Sequence, residues 1–139
     1  MRFVRLLLLL AFVTDCGDRS IVAPEAYGRR PCRPSAALVA MVTVEPFAPS
    51  AMRSALVHGA NAMTLTVADG PHRRDLQDAM RIAASDISAE QFDSACRLVE
   101  IADGALSALP DSAASFPDRV GIRLILALTA QSLTTVIPK

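Results

Sequence analysis

Between Phe92 and Leu109 the apolar residues Phe92, Ala95, Val99, Ala102, Leu106 and Leu109 follow one another at spacings of 3, 4, 3, 4 and 3. An α-helix returns a side chain to the same side after three or four steps, so this stripe predicts a helix with one buried face. Leu98, Ile101 and Ala105 add a second apolar flank, while Arg97, Glu100 and Asp103 lie off the stripe. The helix is therefore expected to be wedged between two neighbours. Ser88, with Gln91 three positions on, has the form of a capping box for its start, and Pro110 cannot continue its hydrogen-bond ladder.

A chain with one such helix needs others to cover it, and the flanking sequence supplies them. Met52, Leu56, Ala60 and Met63 recur every three or four residues and predict a helix from about Ala51 to Thr66. Its tail carries the β-branched Thr64, Thr66 and Val67, which make a short strand the second choice there. Asp69-Gly70-Pro71 then turns the chain, Pro71 fits a first helical position, and Leu76, Met80, Ala83 and Ile87 make the next stripe. Further on, Ser115 is placed to cap a last helix, with Asp118 near its positive end. From Val120 to Ile137 that helix is apolar around most of its circumference, which suits the centre of a bundle or the underside of a partner. Arg123 interrupts the run, leaving about 14 residues against the roughly 20 that cross a bilayer. Ala36 to Glu45 is too short an apolar run to be assigned to strand or helix by period. The expected fold class is all-α: a small three- or four-helix bundle over residues 36–139, with short loops that make successive helices antiparallel.

The amino end has a different character. Arg2 and Arg5 precede the apolar run Leu6 to Val13, and polar residues follow at once. Charge followed by a short apolar segment is the order of a secretory signal, and five consecutive leucines offer water no polar face. At its end, Val13-Thr14-Asp15-Cys16 resembles the lipobox of bacterial lipoproteins. In that family an aliphatic residue stands three before a cysteine that receives a diacylglyceryl thioether. Val13, Thr14 and Cys16 match, while Asp15 stands where the family carries Gly, Ala or Ser. The resemblance implies a signal peptide over residues 1–15, lipidation at Cys16 and anchorage of the mature protein to a membrane of the cell envelope. An exported form cut elsewhere, periplasmic or secreted, is the alternative, with Ala11-Phe12-Val13 a poor peptidase site. Residues 16–35 carry prolines, glycines and charges without period, as expected of an extended tether.

Cysteine parity bears on the same question. Cys16, Cys32 and Cys96 leave one odd thiol in an oxidising compartment unless one is consumed otherwise. With Cys16 lipidated, Cys32 and Cys96 remain as a pair able to close a disulfide. The alternative leaves Cys96 as a small buried hydrophobe and Cys32 as a free loop thiol.

Little in the sequence speaks for catalysis. Fourteen basic residues balance fourteen acidic ones, which removes the cationic excess expected of a nucleic-acid binder. His58 and His72 are the only histidines, and neither lies near a Ser-containing elbow or shows metal-binding pitch. Asp75 and Asp78 near a helix start have a dipole explanation, and Arg73 and Arg74 are expected to pair with Asp75, Asp78 or solvent instead of holding a phosphate at Gly70-Pro71. No catalytic, metal or cofactor residue is assigned. The expected function is a non-catalytic structural or interaction role in the envelope: membrane contact through the lipid, a protein partner through the C-terminal helix, and no nucleic acid. A small apolar-ligand binder lined by Met52, Met63, Met80 and Phe92 is the alternative, and an enzyme is the weaker one.

Overall fold

The computed structural model describes residues 32–137. Along them run α1 (Ala36–Val39), α2 (Pro49–Thr66), α3 (Pro71–Ser88), α4 (Phe92–Ala108), a 3-10 turn (Asp111–Ala113) and α5 (Phe116–Val136). Helix α2 packs on α3, α3 on α4, α4 on α5, and α5 back on α2, which closes a four-helix bundle; α1 lies against α5. The short α2–α3 and α3–α4 connections make successive helices antiparallel. At one end the α2–α3 loop meets the α4–α5 connection: Val67 and Ala114 form an antiparallel bridge, and the Ala68 N–H donates to the Ala113 carbonyl at 2.7 Å.

The stripes read from the sequence face the core. Met52, Leu56 and Met63 of α2, Leu76 and Met80 of α3, and Val99 and Leu106 of α4 are essentially inaccessible, as are Leu126 and Leu133 of α5. Alanines fill much of the space between them, so the helices approach closely. One close approach is at Gly59, where a Cβ would lie 2.8 Å from Ile125 Cδ1 and 3.0 Å from Met80 Cε. Among the described residues three polar side chains are buried, and each is satisfied nearby. Gln77 Nε2 donates to the Ala60 carbonyl at 2.8 Å, Thr129 Oγ1 to the Ile125 carbonyl at 2.9 Å, and Ser132 Oγ to the Leu128 carbonyl at 2.7 Å.

Three local expectations change. Ser88 does not cap α4; it closes α3, its hydroxyl donating to the Ala84 carbonyl at 3.1 Å. The chain reverses through a Schellman motif in which the Glu90 N–H donates to Ile87 and the Gln91 N–H to Asp86, with Glu90 in the left-handed region at φ 58°. Gln91 then precedes α4 with no side-chain cap. The tail of α2, by contrast, is helical to Thr66 as its stripe predicts, and Val67 after it takes extended backbone. The second flank of α4 is incomplete, because Ile101 is 58% exposed while Leu98 and Ala105 are half-buried. Helix α5 is not buried all round either: Phe116, Val120 and Leu124, four residues apart, are 79%, 37% and 39% exposed. At its start the expected cap is present, with Ser115 Oγ accepting from the Asp118 N–H at 3.3 Å and donating to the Asp118 carboxylate.

Candidate functional site

Residues 32–48, before α2, form a strap across one end of the bundle. It is short of regular structure because Pro46 and Pro49 interrupt it, and α1 is a single turn capped by Ser35 Oγ, which accepts from the Leu38 N–H at 3.2 Å. What holds the strap is mostly side chains of the bundle. Near the start of α4 the Cys32 N–H donates to the Asp93 carboxylate, and the Ser35 N–H donates to Glu100 Oε1 at 2.6 Å. Leu38 is buried in the core. Farther along, Gln131 Nε2 donates to the Val44 carbonyl at 3.0 Å and the Phe47 N–H donates to Ser132 Oγ at 2.7 Å. The strap thus runs from α4 to the C-terminal half of α5.

Its first residue is also covalently attached. Cys32 and Cys96 form a disulfide with Cα atoms 6.0 Å apart, inside the geometric reach of such a bond. Cys96 is fully buried on α4, and Asp93 and Glu100, three positions before it and four after, occupy the same side of the helix. The residues from Cys32 to Ser35, which the sequence assigns to the tether, therefore pack on the domain. The disulfide points to an oxidising, extracytoplasmic location. Cys16, with the lipobox-like segment before it, lies outside the described residues.

The remaining candidate residues do not converge. Met52, Met63 and Met80 are fully buried as core side chains. Phe92 is half-buried at the α3–α4 turn, between two adjoining surface clefts of about 480 and 300 Å3. His58 and His72 are exposed, on α2 and at the start of α3, and Asp75 and Asp78 are exposed on α3. Arg73 and Arg74 turn toward Asp69, not toward Asp75 or Asp78. Arg73 Nη2 meets Asp69 Oδ1 at 2.8 Å and Arg74 Nη2 meets Oδ2 at 3.5 Å. Arg73 also donates to the Val67 carbonyl at 3.1 Å, which closes the end of α2. The two guanidinium groups beside it, Arg73 foremost, hold the Asp69 carboxyl below its usual range. This cluster pins the α2–α3 loop and leaves Gly70-Pro71 no free pair of arginines for a phosphate.

At the far end of α4, Arg119 donates to the carbonyls of Leu109, Pro110 and Ala114, satisfying backbone acceptors where the helix stops. Arg123 ties α5 to α4 through Asp103 at 3.1 Å and Ser107 at 2.9 Å. Among the described residues no three His, Cys, Asp or Glu side chains are grouped to hold a metal ion, and no helix is long and apolar enough to cross a membrane. Comparison with protein-family models, with curated proteins and with solved structures gave no match to this chain.

Proposed function

We propose that the chain is an exported protein, lipid-anchored through Cys16, whose helical domain serves a non-catalytic structural or interaction role at the bacterial cell envelope. The observation that carries the reading is the Cys32–Cys96 disulfide, a bond that persists in oxidising compartments and is rare in reducing ones. The resemblance of Val13-Thr14-Asp15-Cys16 to a lipobox supports the anchor, and cysteine parity agrees with it: the disulfide uses two of three thiols and leaves Cys16 for the lipid. Protein contact is assigned to α5, whose exposed line Phe116, Val120 and Leu124 carries no charge.

Expression of the full chain in a bacterial host tests the anchor. Intact-mass measurement should find an N-terminus at Cys16 carrying a diacylglyceryl group, and Cys16→Ser should move the protein from the membrane to the soluble fraction. An unmodified Cys16, or an N-terminus elsewhere, overturns the lipid-anchored reading.

A further inference from the structure

Helices α3 and α4 run antiparallel, and one hydrogen bond on their outer side fixes the register: Ser94 Oγ donates to Asp86 Oδ2 at 2.6 Å. Counted away from that bond, one turn along each helix sets Ile82 beside Leu98. The next turns set Asp78 level with Ile101 and Asp75 level with Ala105. Spacings of three and four keep Asp75, Asp78, Ile82 and Asp86 on one side of α3 and Ser94, Leu98, Ile101 and Ala105 on one side of α4. The core stripes of both helices occupy other positions, so these two lines meet along the outer edge of the α3–α4 packing.

The two lines differ in chemistry. Ile82 and Ile101 are 51% and 58% exposed, and Leu98 and Ala105 are half-buried against the core, which makes one apolar strip continuous with the interior. Carboxylates edge it on the α3 side. Asp75 and Asp78 are exposed and form no ion pair among the described residues, and the Asp86 carboxylate receives the neutral Ser94 hydroxyl. The arginines of α3 are engaged elsewhere: Arg73 and Arg74 meet Asp69, and Arg81 donates to Asn61 of α2. On the α4 side Arg97, one turn before Ile101, borders the strip and meets Asp93 at 2.8 Å. The strip therefore carries negative charge along one edge only.

The geometry points to an interaction surface along α3 and α4 for a basic amphipathic helix of a partner protein. Its apolar side chains would seat on Ile82, Leu98, Ile101 and Ala105, with lysines or arginines along the edge formed by Asp75, Asp78 and Asp86. The strip from Asp75 to Asp86 is about 16 Å long, or three helical turns, which matches anchors at i, i+3 or i+4, and i+7 of a docked helix. Charge complementarity selects a basic helix, because an acidic one would set like charges against the three aspartates. This surface shares no residue with the exposed line of α5.

Backbone amides of the full chain carrying Cys16→Ser, with the disulfide intact, are followed by NMR during titration with a leucine–lysine peptide whose leucines recur at helical spacing. A peptide of the same composition in scrambled order and a leucine–glutamate peptide of the same pattern serve as controls. Saturable shifts confined to residues 75–86 and 94–105 are expected with the first peptide alone. The double variant Ile82→Ser, Ile101→Ser alters two exposed side chains and should weaken binding at least about tenfold while keeping the native spectrum. Asp75→Asn, Asp78→Asn should weaken it by a few-fold and flatten its salt dependence. Glu45→Gln, an exposed carboxylate of the strap, should leave the affinity unchanged. Absence of saturable, localised shifts overturns the proposal, as does equal binding of either control peptide, or affinity that the isoleucine variant retains or that Glu45→Gln lowers equally. Concentration-dependent self-association of the chain without peptide, abolished by Ile82→Ser, Ile101→Ser, would assign the surface to a second copy and overturn it as well.

Discussion

Ser35 donates its backbone N–H to Glu100 Oε1 at 2.6 Å, one turn along α4 from the cysteine that holds Cys32. A covalent and a polar attachment therefore hold neighbouring points of one strap to one helix. Chain-entropy arithmetic for the 64-residue separation gives about 4 kcal/mol for the disulfide, and a hydrogen bond to a charged acceptor contributes about 1.5–3 kcal/mol. The two should be coupled, because the bond to Glu100 forms more readily when Cys32 already fixes the strap. Denaturant unfolding of Glu100→Gln should show a larger loss of stability in the oxidised protein than in the Cys32→Ser, Cys96→Ala background. Equal losses in both backgrounds would mean that Leu38 and the Phe47–Ser132 hydrogen bond hold the strap without the disulfide.

Val99 and Arg97 are two positions apart on α4 and have opposite environments. Val99 is 1% exposed, whereas Arg97 lies at the surface with Asp93 at 2.8 Å. Val99→Asp should cost several kcal/mol by burying a carboxylate without a partner. Arg97→Asp exchanges an exposed pair for a like-charge contact and should cost less than about 1 kcal/mol. Thermal melts of the two variants decide the matter, and equal shifts would contradict the orientation of the helix.

How far the sequence reveals this fold depends on the kind of contact. The α4 stripe and those of α2 and α3 are legible because periodicity reports burial directly, and Ser115 with Asp118 is legible because a cap is a local arrangement. The Cys32–Cys96 pair is legible only through parity. Ser88 misleads for a physical reason: Ser then Gln three positions later suits the start of a helix, but the apolar stripe of α3 runs through Ile87 and carries the helix to Ser88 first. The strap is not legible at all, because Ser35–Glu100 and Phe47–Ser132 are backbone-to-side-chain bonds across 65 and 85 residues that leave no local pattern. Nor is the pairing of Arg73 with Asp69, which depends on how tightly the α2–α3 loop turns.

Three helical glycines should respond differently to alanine. Gly104 of α4 and Gly121 of α5 are exposed, and an added Cβ meets nothing within 4 Å at either. Alanine there should stabilise by about 0.5–1 kcal/mol each through the lower entropy of the unfolded chain. Gly59→Ala must displace Ile125 Cδ1 and Met80 Cε and should gain less than either. Chemical denaturation of the three single variants measures the order.

Glu90 occupies the left-handed position that closes the Schellman motif after α3, a place most often taken by glycine. Its Cβ makes that conformation costly by about 1–2 kcal/mol, offset in part by the greater unfolded-state entropy of glycine. Glu90→Gly should therefore raise stability by up to about 1 kcal/mol, whereas Glu90→Val should lower it. Thermal unfolding of both variants provides the check, and a destabilised Glu90→Gly would contradict the turn geometry.

Asp69 should give the α2–α3 loop a dependence on acid. Arg73 and Arg74 hold its carboxyl below the usual range, so the folded protein releases that proton more readily than the unfolded chain. A lowered carboxyl pKa contributes stability that is fully present above the unfolded value and is lost as pH falls through the folded value. Asp69→Asn should accordingly be less stable than the parent at neutral pH, and the two should converge in strong acid. The difference will be small, because Asp69 is exposed and solvent screens both pairs. Urea unfolding of parent and variant at neutral pH and in acid, at low salt, measures it. A gap that persisted unchanged in acid would show that the Asp69 side chain holds the loop by hydrogen-bond geometry and not by its charge.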